Sequence, residues 1–520
     1  MKITLVSTYA SIASYGLRIL SAVLKEAGFE TRMIFMPRDT EGLPWNGFCY
    51  PYSDAVLDQL AELSGDSGLV GVSLSTNYFF NAVQITQRLR RSTNAPLVWG
   101  GIHPTVRPQE CLDHADLVCV GEGEEAVVEL AQRLAGGEGC QGIDNMWYRD
   151  KGHVVCTPLR PLQANLDVYP YPDYELESSW ILHQGRIRPM TLELWLQYAR
   201  WPGGADCVPA YETMLTRGCA FRCAYCCNDA LRSIYPGQWR VRRRSVGHLM
   251  GELKRATAYL PGLGLIRFVD DDFVDDLDTL HQFCTAYKQT VAIPFEVDGW
   301  RPDMVDHEKI SLLVDVGLKI LHMGIQTGSM RTMHHIYRRP LQRHHVIQAT
   351  QVLSQFAGRI DPPVYDLIVD NPWEDEQDQL ETLSLLLDIP RPYRLQLFSL
   401  TFYPGTELYE RGKREGLIQD ESSQIYQKHY FLNSQRTYLN GLFKLIQSQR
   451  APRWLLVFLM HERLRRLQWV WLPFALNSLL HGIQLVAAGW RAARRGDWKS
   501  ISRYLHLTLG RHPKAYQSLA

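Results

Sequence analysis

The 520-residue chain lacks the marks of several common protein classes. No signal-peptide pattern opens it. Met1-Lys2 runs directly into Ile3-Thr4-Leu5-Val6, too short for a signal-peptide core and suited to a first strand. No apolar run of spanning length is unbroken. The longest, Leu467 to Trp490, is interrupted by Gln468, Pro473, Asn477, Ser478, His481 and Gln484. Asn477, His481 and Gln484 fall on one helical face, which describes an amphipathic helix rather than a membrane span. Neither sign of charge is in excess: 55 basic and 55 acidic side chains leave a formal net charge of zero, so there is no general nucleic-acid footprint. The pyrophosphate fingerprint GxGxxG is missing after the first strand, which argues against a nicotinamide cofactor. No Ser/His/Asp set or paired-carboxylate site stands out, and neither repeats nor low-complexity runs occur. These absences together predict a cytoplasmic location.

A 46% apolar composition supports sizeable cores, and the length suits about three domains. Eleven cysteines would suit a disulfide scaffold, but the number is odd and four crowd into Cys219, Cys223, Cys226 and Cys227. Such crowding points to a metal or redox site in a reducing compartment.

Residues 1–140 alternate strands with helices. Strands are predicted at Ile3–Val6, Thr31–Phe35, Leu69–Leu74, Pro96–Trp99 and Ala115–Val120, with helices between them. This pattern predicts an α/β, Rossmann-like, doubly wound parallel sheet whose ligand crevice lies beyond the strands' carboxyl ends. Those ends carry Ser7-Thr8-Tyr9, Ser73-Leu74-Ser75-Thr76, Gly100-Gly101-Ile102-His103 and Gly121-Glu122-Gly123. Ordinary strand-to-helix turns favour the same residues, yet four small-residue ends together suggest a cofactor site. Residues 141–205, rich in Pro, Tyr and Trp, read as a linker or wrapping segment. Residues 206–418 resume the alternation, with strands predicted at Thr213–Thr216, Leu265–Val269, Pro294–Val297, Ile320–Gly324, Tyr365–Val369 and Leu395–Leu400. Six βα units suggest a partial (β/α)6 barrel with reactive groups at the strands' carboxyl ends. Residues 419–520 read as a helical region.

Directly after the first barrel strand comes Gly218-Cys219-Ala220-Phe221-Arg222-Cys223-Ala224-Tyr225-Cys226-Cys227. Three thiolates at CxxxCxxC spacing suit three irons of a cubane cluster, with the fourth iron open. A structural zinc site is the alternative, but it wants a fourth ligand at comparable spacing, and Cys227 is too close to Cys226 for one metal to use both easily.

This run resembles the radical S-adenosylmethionine (SAM) superfamily, whose signature is CxxxCxΦC with an aromatic, here Tyr225, before the last cysteine. The resemblance continues through Ile266-Arg267-Phe268-Val269-Asp270-Asp271-Asp272-Phe273 and Gly324-Ile325-Gln326-Thr327-Gly328-Ser329, then Asp366–Glu374 and Tyr403–Tyr409. It implies a [4Fe-4S] cluster on Cys219, Cys223 and Cys226. It further implies SAM held by Tyr225, by Asp270 and Asp271 at its ammonium, and by Gln326 and Ser329 at its ribose. Gln326 stands where the family often has Glu, so that charge is lost. With Tyr15-Gly16-Leu17, Gly100–Pro104 and Gly121–Glu124, the front domain is similar to the cobalamin (B12) domains that precede many such barrels. Tyr9, Ser73, Ser75, Thr76, Gly100, Gly101, His103, Gly121, Glu122 and Gly123 would line that cofactor. No DxHxxG follows the first strand, which implies a lower cobalamin face held by no histidine from that loop. His103 is an alternative axial ligand, although its loop suits a shaping role.

The resemblance implies a deoxyadenosyl radical that takes hydrogen from an unactivated carbon, followed by methylation from methylcobalamin, as in the class B methyltransferases. The substrate would be a small hydrophobic or natural-product-type molecule, and an external flavodoxin- or ferredoxin-type protein would supply electrons. Radical cyclisation or rearrangement on the same scaffold is one alternative, and a non-catalytic cobalamin-binding protein is another. A tRNA-modifying enzyme would use Arg240, Arg242, Arg243 and Arg244, but its usual RNA-binding barrel is not visible. In the tail, Arg463, Arg465 and Arg466 precede the amphipathic stretch and Arg491, Arg494 and Arg495 follow it. With Trp469, Trp471 and Trp490 this describes either a helix over the barrel mouth or peripheral contact with the inner membrane face.

Overall fold

A computed structural model of the chain describes residues 1–38, 48–203, 206–274, 276–431, 434–467 and 469–494. The side chains of 484–494 and all of 495–520 lie outside this description, and with them Gln484, Trp490, Arg491, Arg494 and Arg495. The described chain is α/β and divides into two compact units. One comprises residues 1–200, 208–295 and 401–429, and the other 201–207, 296–400 and 430–520.

In the first unit, β1 (Lys2–Ser7), β2 (Glu30–Phe35), β3 (Leu69–Ser73), β4 (Leu97–Gly100) and β5 (Leu117–Cys119) are the five expected strands. They lie parallel in the order β5-β4-β3-β1-β2. Helices fill the crossovers, and helix Tyr15–Glu26 buries Leu17, Ile19, Val23 and Leu24. It ends where Gly28 adopts φ +88°, a left-handed turn that glycine enters without strain. Since β1 leads to one side and β3 to the other, the strand order reverses beside β1. The carboxyl ends of β1, β3, β4 and β5 therefore form one rim.

Residues 141–205 do more than link. β6 (Met146–Asp150) and β7 (His153–Val155) form a hairpin that adds antiparallel to β5. β8 (Ser179–His183) adds parallel to β2 and pairs with β9 (Arg186–Pro189), so the sheet has nine strands. These strands are short, and Lys151, Arg186 and Arg188 place charge on the sheet edges, as edges require. Their weak alternation is why the sequence pattern passes over them.

The barrel begins differently from the sequence expectation. After the short β10 (Arg200–Gly203), the first βα strand is β11 (Asp206–Thr213), which ends where Thr213–Thr216 was expected to begin. β12 (Thr216–Arg217) instead pairs antiparallel with β13 (Arg242–Arg243) as a separate ribbon. The cause is local: the Leu215 and Thr216 N–H groups donate to the Asp270 carboxylate, so those donors are withdrawn from the sheet. β14 (Leu265–Phe268) lies parallel to β11. In the second unit β15 (Phe295–Trp300), β16 (Leu318–Gln326), β17 (Val364–Val369) and β18 (Arg394–Ser399) run side by side, with β16, β17 and β18 in parallel register. Helices at 438–447, 453–459, 462–466 and 471–494 match the expected helical tail.

The front sheet is tied to the 166–175 stretch by a buried cation. Arg18, 1% exposed, donates to the carbonyls of Ala13, Ile12 and Asp173 at 2.7, 2.6 and 2.9 Å. Its guanidinium stacks on Phe35 and Tyr174 at 4.5 and 4.0 Å. A lysine satisfies neither the planar fork nor both rings. Arg18→Lys is expected to cost about 2–3 kcal/mol, read as a lower midpoint of thermal unfolding by circular dichroism.

Candidate functional site

The cysteine loop lies between β12 and helix Cys227–Ile234, and its shape is set by its neighbours. Gly218 opens it at φ +92°, and a Cβ there would stand 3.0 Å from the Arg240 carbonyl oxygen. The Arg232 guanidinium donates to the carbonyls of Cys219, Ala220 and Phe221 at 3.0, 3.2 and 3.2 Å, and Trp239 Nε1 donates to Cys219 O at 3.1 Å. Leu408 N–H donates to Ala224 O, and Ala220 N–H to Asp272 Oδ2. Cys219, Cys223 and Cys226 are half-buried and form no disulfide, Cys227 is exposed, and Tyr225 is half-buried within the loop. Burial pushes the Cys219 thiol up to about 12. A nucleophilic cysteine requires the opposite shift. Arg232 and Trp239 escaped the sequence reading because carbonyl clamps have no motif.

The acidic strand end divides its labour. Asp270 is 3% exposed, and its Oδ1 accepts from Leu215 N, Thr216 N and Thr216 Oγ1 at 2.9, 2.5 and 2.7 Å. Burial pushes its carboxyl up to about 7, against the lowering effect of the Thr216 and Leu215 bonds. Asp270, expected at the SAM ammonium, is thus first a brace for the β12 turn, with only Oδ2 uncommitted. Asp271 is open to solvent yet closely ringed by protein, and that crowding raises its carboxyl while Asn228 and the Gly218 backbone oppose the shift. It is the carboxylate available to a ligand beside the cysteines.

On the rim of the front sheet, Tyr9, Ser73, Ser75 and Gly100 are half-exposed and Gly101 is exposed. Gly101 takes φ +113°, where a Cβ would meet Leu74 O at 2.5 Å. Thr76 is buried, and its hydroxyl pairs with His103 Nδ1 at 3.1 Å. His103 has no exposed surface and packs edge-on against Phe79 and Tyr426. Burial lowers it to about 3, leaving a neutral ring. The buried ring shapes its loop through Thr76, Phe79 and Tyr426.

The Gly121-Glu122-Gly123 loop differs from the expectation of an open cofactor edge. Tyr235 accepts the Glu122 N–H at 3.1 Å and fills the space a Gly121 side chain would need. The Glu122 carboxylate accepts two bonds from Arg242, at 2.9 and 2.5 Å, with Arg217 at 3.5 Å. Burial alone would raise this carboxyl, but the two arginines bring it below its usual value. Its charge is engaged in holding the ribbon. Arg243 faces Asp276 and Arg244 faces Glu252. Of the arginine run behind the RNA alternative, Arg242, Arg243 and Arg244 are therefore neutralised in place.

In the second unit, Gln326 ends β16 at φ +71° beside a register shift in the β16–β17 pairing. Such strain in a non-glycine residue belongs to a constrained site. Ser329, expected at the ribose, is instead fully buried and donates to Asp378 at 2.6 Å, fixing the loop. One group was missed from sequence. His322 Nε2 lies 3.2 Å from Glu296 and its Nδ1 3.7 Å from Asp298. Trp201 Nε1 donates to Glu296. On the next strand Asp366 is pushed up to about 7 by burial. Alternate ionisable residues on neighbouring parallel strands were the available signal, masked by the stronger motifs.

Comparison with known proteins agrees with this geometry. Residues 1–131 match the B12-binding domain family, and residues 213–386 match the radical SAM superfamily. The chain is a radical SAM enzyme with a B12-binding domain in front. Its cofactors are cobalamin, a [4Fe-4S] cluster and SAM. It is 26% identical to an uncharacterized methyltransferase of Pyrococcus horikoshii over 68% of this chain and 71% of that one. It is 21% identical to the bacteriochlorophyllide d C-8(2)-methyltransferase of Chlorobaculum tepidum over 72% and 74%. Its fold matches TsrM, a radical SAM methyltransferase of Kitasatospora setae solved with tryptophan and a SAM analogue. The TM-score is 0.59 at 18% identity, covering 79% of this chain and 76% of that one.

The half-buried, unbridged thiols fit the cluster and the small-residue rim fits a large flat cofactor. Two outcomes are expected. Arg232→Ala should retain less than about half the iron of the parent after anaerobic reconstitution while Cys227→Ser retains it, measured by iron assay and visible absorbance. Because the folded Asp270 carboxyl titrates above its unfolded value of about 4, the native state binds the extra proton and stability falls as pH rises from about 4 through 7. Asp270→Asn should flatten that decline by about 1–3 kcal/mol in pH-dependent thermal melts.

Proposed function

We propose that the enzyme methylates an unactivated carbon of a small hydrophobic or natural-product-type molecule. The reading is carried by one observation: the clamped cysteine loop, with Asp271 open beside it, lies in the same compact unit as the small-residue rim of the B12-type sheet. When bound, the cofactors supply a deoxyadenosyl radical to take the hydrogen and methylcobalamin to deliver the methyl group. The chain's own residues do the rest. Cys219, Cys223 and Cys226 are the cluster ligands, and Asp271 receives the SAM ammonium with Tyr225 alongside. Tyr9, Ser73, Ser75, Gly100 and Gly101 form the cobalamin edge. In the second unit, Glu296, Asp298, His322 and Asp366 form an ionisable group on neighbouring strands. A flavodoxin- or ferredoxin-type donor supplies electrons, and the site excludes water from the radical.

The test is to incubate reduced, reconstituted enzyme with cell extract and SAM carrying a labelled methyl group. Label should enter one small molecule, whose mass rises by one methylene unit, and 5′-deoxyadenosine should accumulate. Turnover that changes a substrate without that gain would transfer the assignment to cyclisation or rearrangement. Cobalamin binding without SAM cleavage would make the chain a binding protein.

A further inference from the structure

The zero net charge conceals a division. Residues 450–520 hold twelve basic and two acidic side chains, a charge of +10, which leaves −10 on residues 1–449. The same tail exposes its apolar surface. Helix Arg453–Leu459 turns Leu456 and Leu459 inward and presents Trp454, Val457 and Phe458 outward, at 70%, 52% and 59% exposure. The i, i+3, i+4 spacing makes these three one continuous helical face.

Helix Trp471–Arg494 repeats the arrangement. Its inner side packs on helix Tyr438–Gln447, where a side chain at Gly441 would collide with Pro473 and Phe474. Its outer side carries Trp471, Leu479 and Ile483, all more than half exposed, and Trp469 stacks on Trp471 at 6.1 Å. Exposed Arg463 and Arg466 lie between the two helices in sequence. Among the described residues no helix is long and apolar enough to cross a membrane.

A helix with one face buried in protein and the other apolar, wide open and set among arginines and tryptophans has the form of an interfacial element. Charge selects the occupant. A second copy of this tail, or its own residues 495–520 with five basic and one acidic side chain, would bring like charge against like. An anionic bilayer meets both requirements, accepting the apolar side chains and attracting the arginines.

We propose that the outward faces of helices 453–459 and 471–494 dock the enzyme on an anionic phospholipid surface without spanning it. The docking is independent of which reaction the barrel performs.

Flotation of the full-length, cofactor-loaded protein with lipid vesicles tests this directly. Vesicles of phosphatidylcholine containing about one-third phosphatidylglycerol should bind it about tenfold better than phosphatidylcholine alone, and added salt should release it. The double variant W454E/F458E alters only exposed positions. It should lose about tenfold of the binding while keeping the parent's circular dichroism and cluster absorbance. Arg463→Gln with Arg466→Gln should weaken binding to the anionic vesicles only. The proposal fails if neither vesicle binds, or if W454E/F458E binds like the parent. It also fails if deletion of 495–520 creates binding that the full chain lacks, since the tail would then be the occupant. It fails again if the parent is a dimer that W454E/F458E dissociates, since a second copy would then cover the face.

Discussion

The Glu122 carboxylate, held between Arg242 and Arg217, is the interaction on which the site depends. Arg242 is 4% exposed, so losing Glu122 would strand its buried charge at a cost of about 3–5 kcal/mol. Arg217 also pairs with Glu124, and it immediately precedes Gly218 and the first cysteine. The same ribbon is braced from the other side by Asp270 through Leu215 and Thr216. The cysteine loop is thus suspended between the rim of the B12-type sheet and the end of β14. Tyr235, directly after the helix that follows the cysteines, closes the contact against Gly121 and Glu122. A seam of this kind would let one compact unit hold its cofactors in fixed relation, which radical transfer needs more than acid–base catalysis does.

Much of this was legible in the sequence, for identifiable reasons. The five front strands are fully buried apolar runs bounded by turn residues, the strongest local signal for a parallel sheet. Cys219, Cys223 and Cys226 speak through spacing alone, because cluster geometry fixes it. What stayed hidden was cooperative. Glu122 and Ser329 look like ligand residues in a motif, but the fold spends one on Arg242 and the other on Asp378. Motif position says where a residue stands and not which neighbour claims its polar atoms. The hairpins of 141–205 were hidden by their charged edges, and the Glu296–Asp298–His322 group by its division between two strands.

The distribution of charge follows a similar logic. Arginines that read as a basic patch at 242–244 are each matched by a carboxylate, so they bind the protein to itself. The tail arginines include paired members, Arg453 with Asp388, Arg465 with Glu376 and Arg466 with Glu462, but they stand beside exposed tryptophan and phenylalanine. A hydrophobic substrate and a lipid-facing tail would suit one another, although each stands on separate residues.

The central claim is that one chain holds the cluster and cobalamin together through the Glu122 seam. Metal analysis of the anaerobically reconstituted protein, with electron paramagnetic resonance of the reduced state, measures this most directly. The account predicts about four iron and about one cobalt per chain. It also predicts a cluster signal that shifts on adding SAM, and the loss of both metals together in Arg242→Met. Iron without cobalt, or full loading of both metals in that variant, would contradict it.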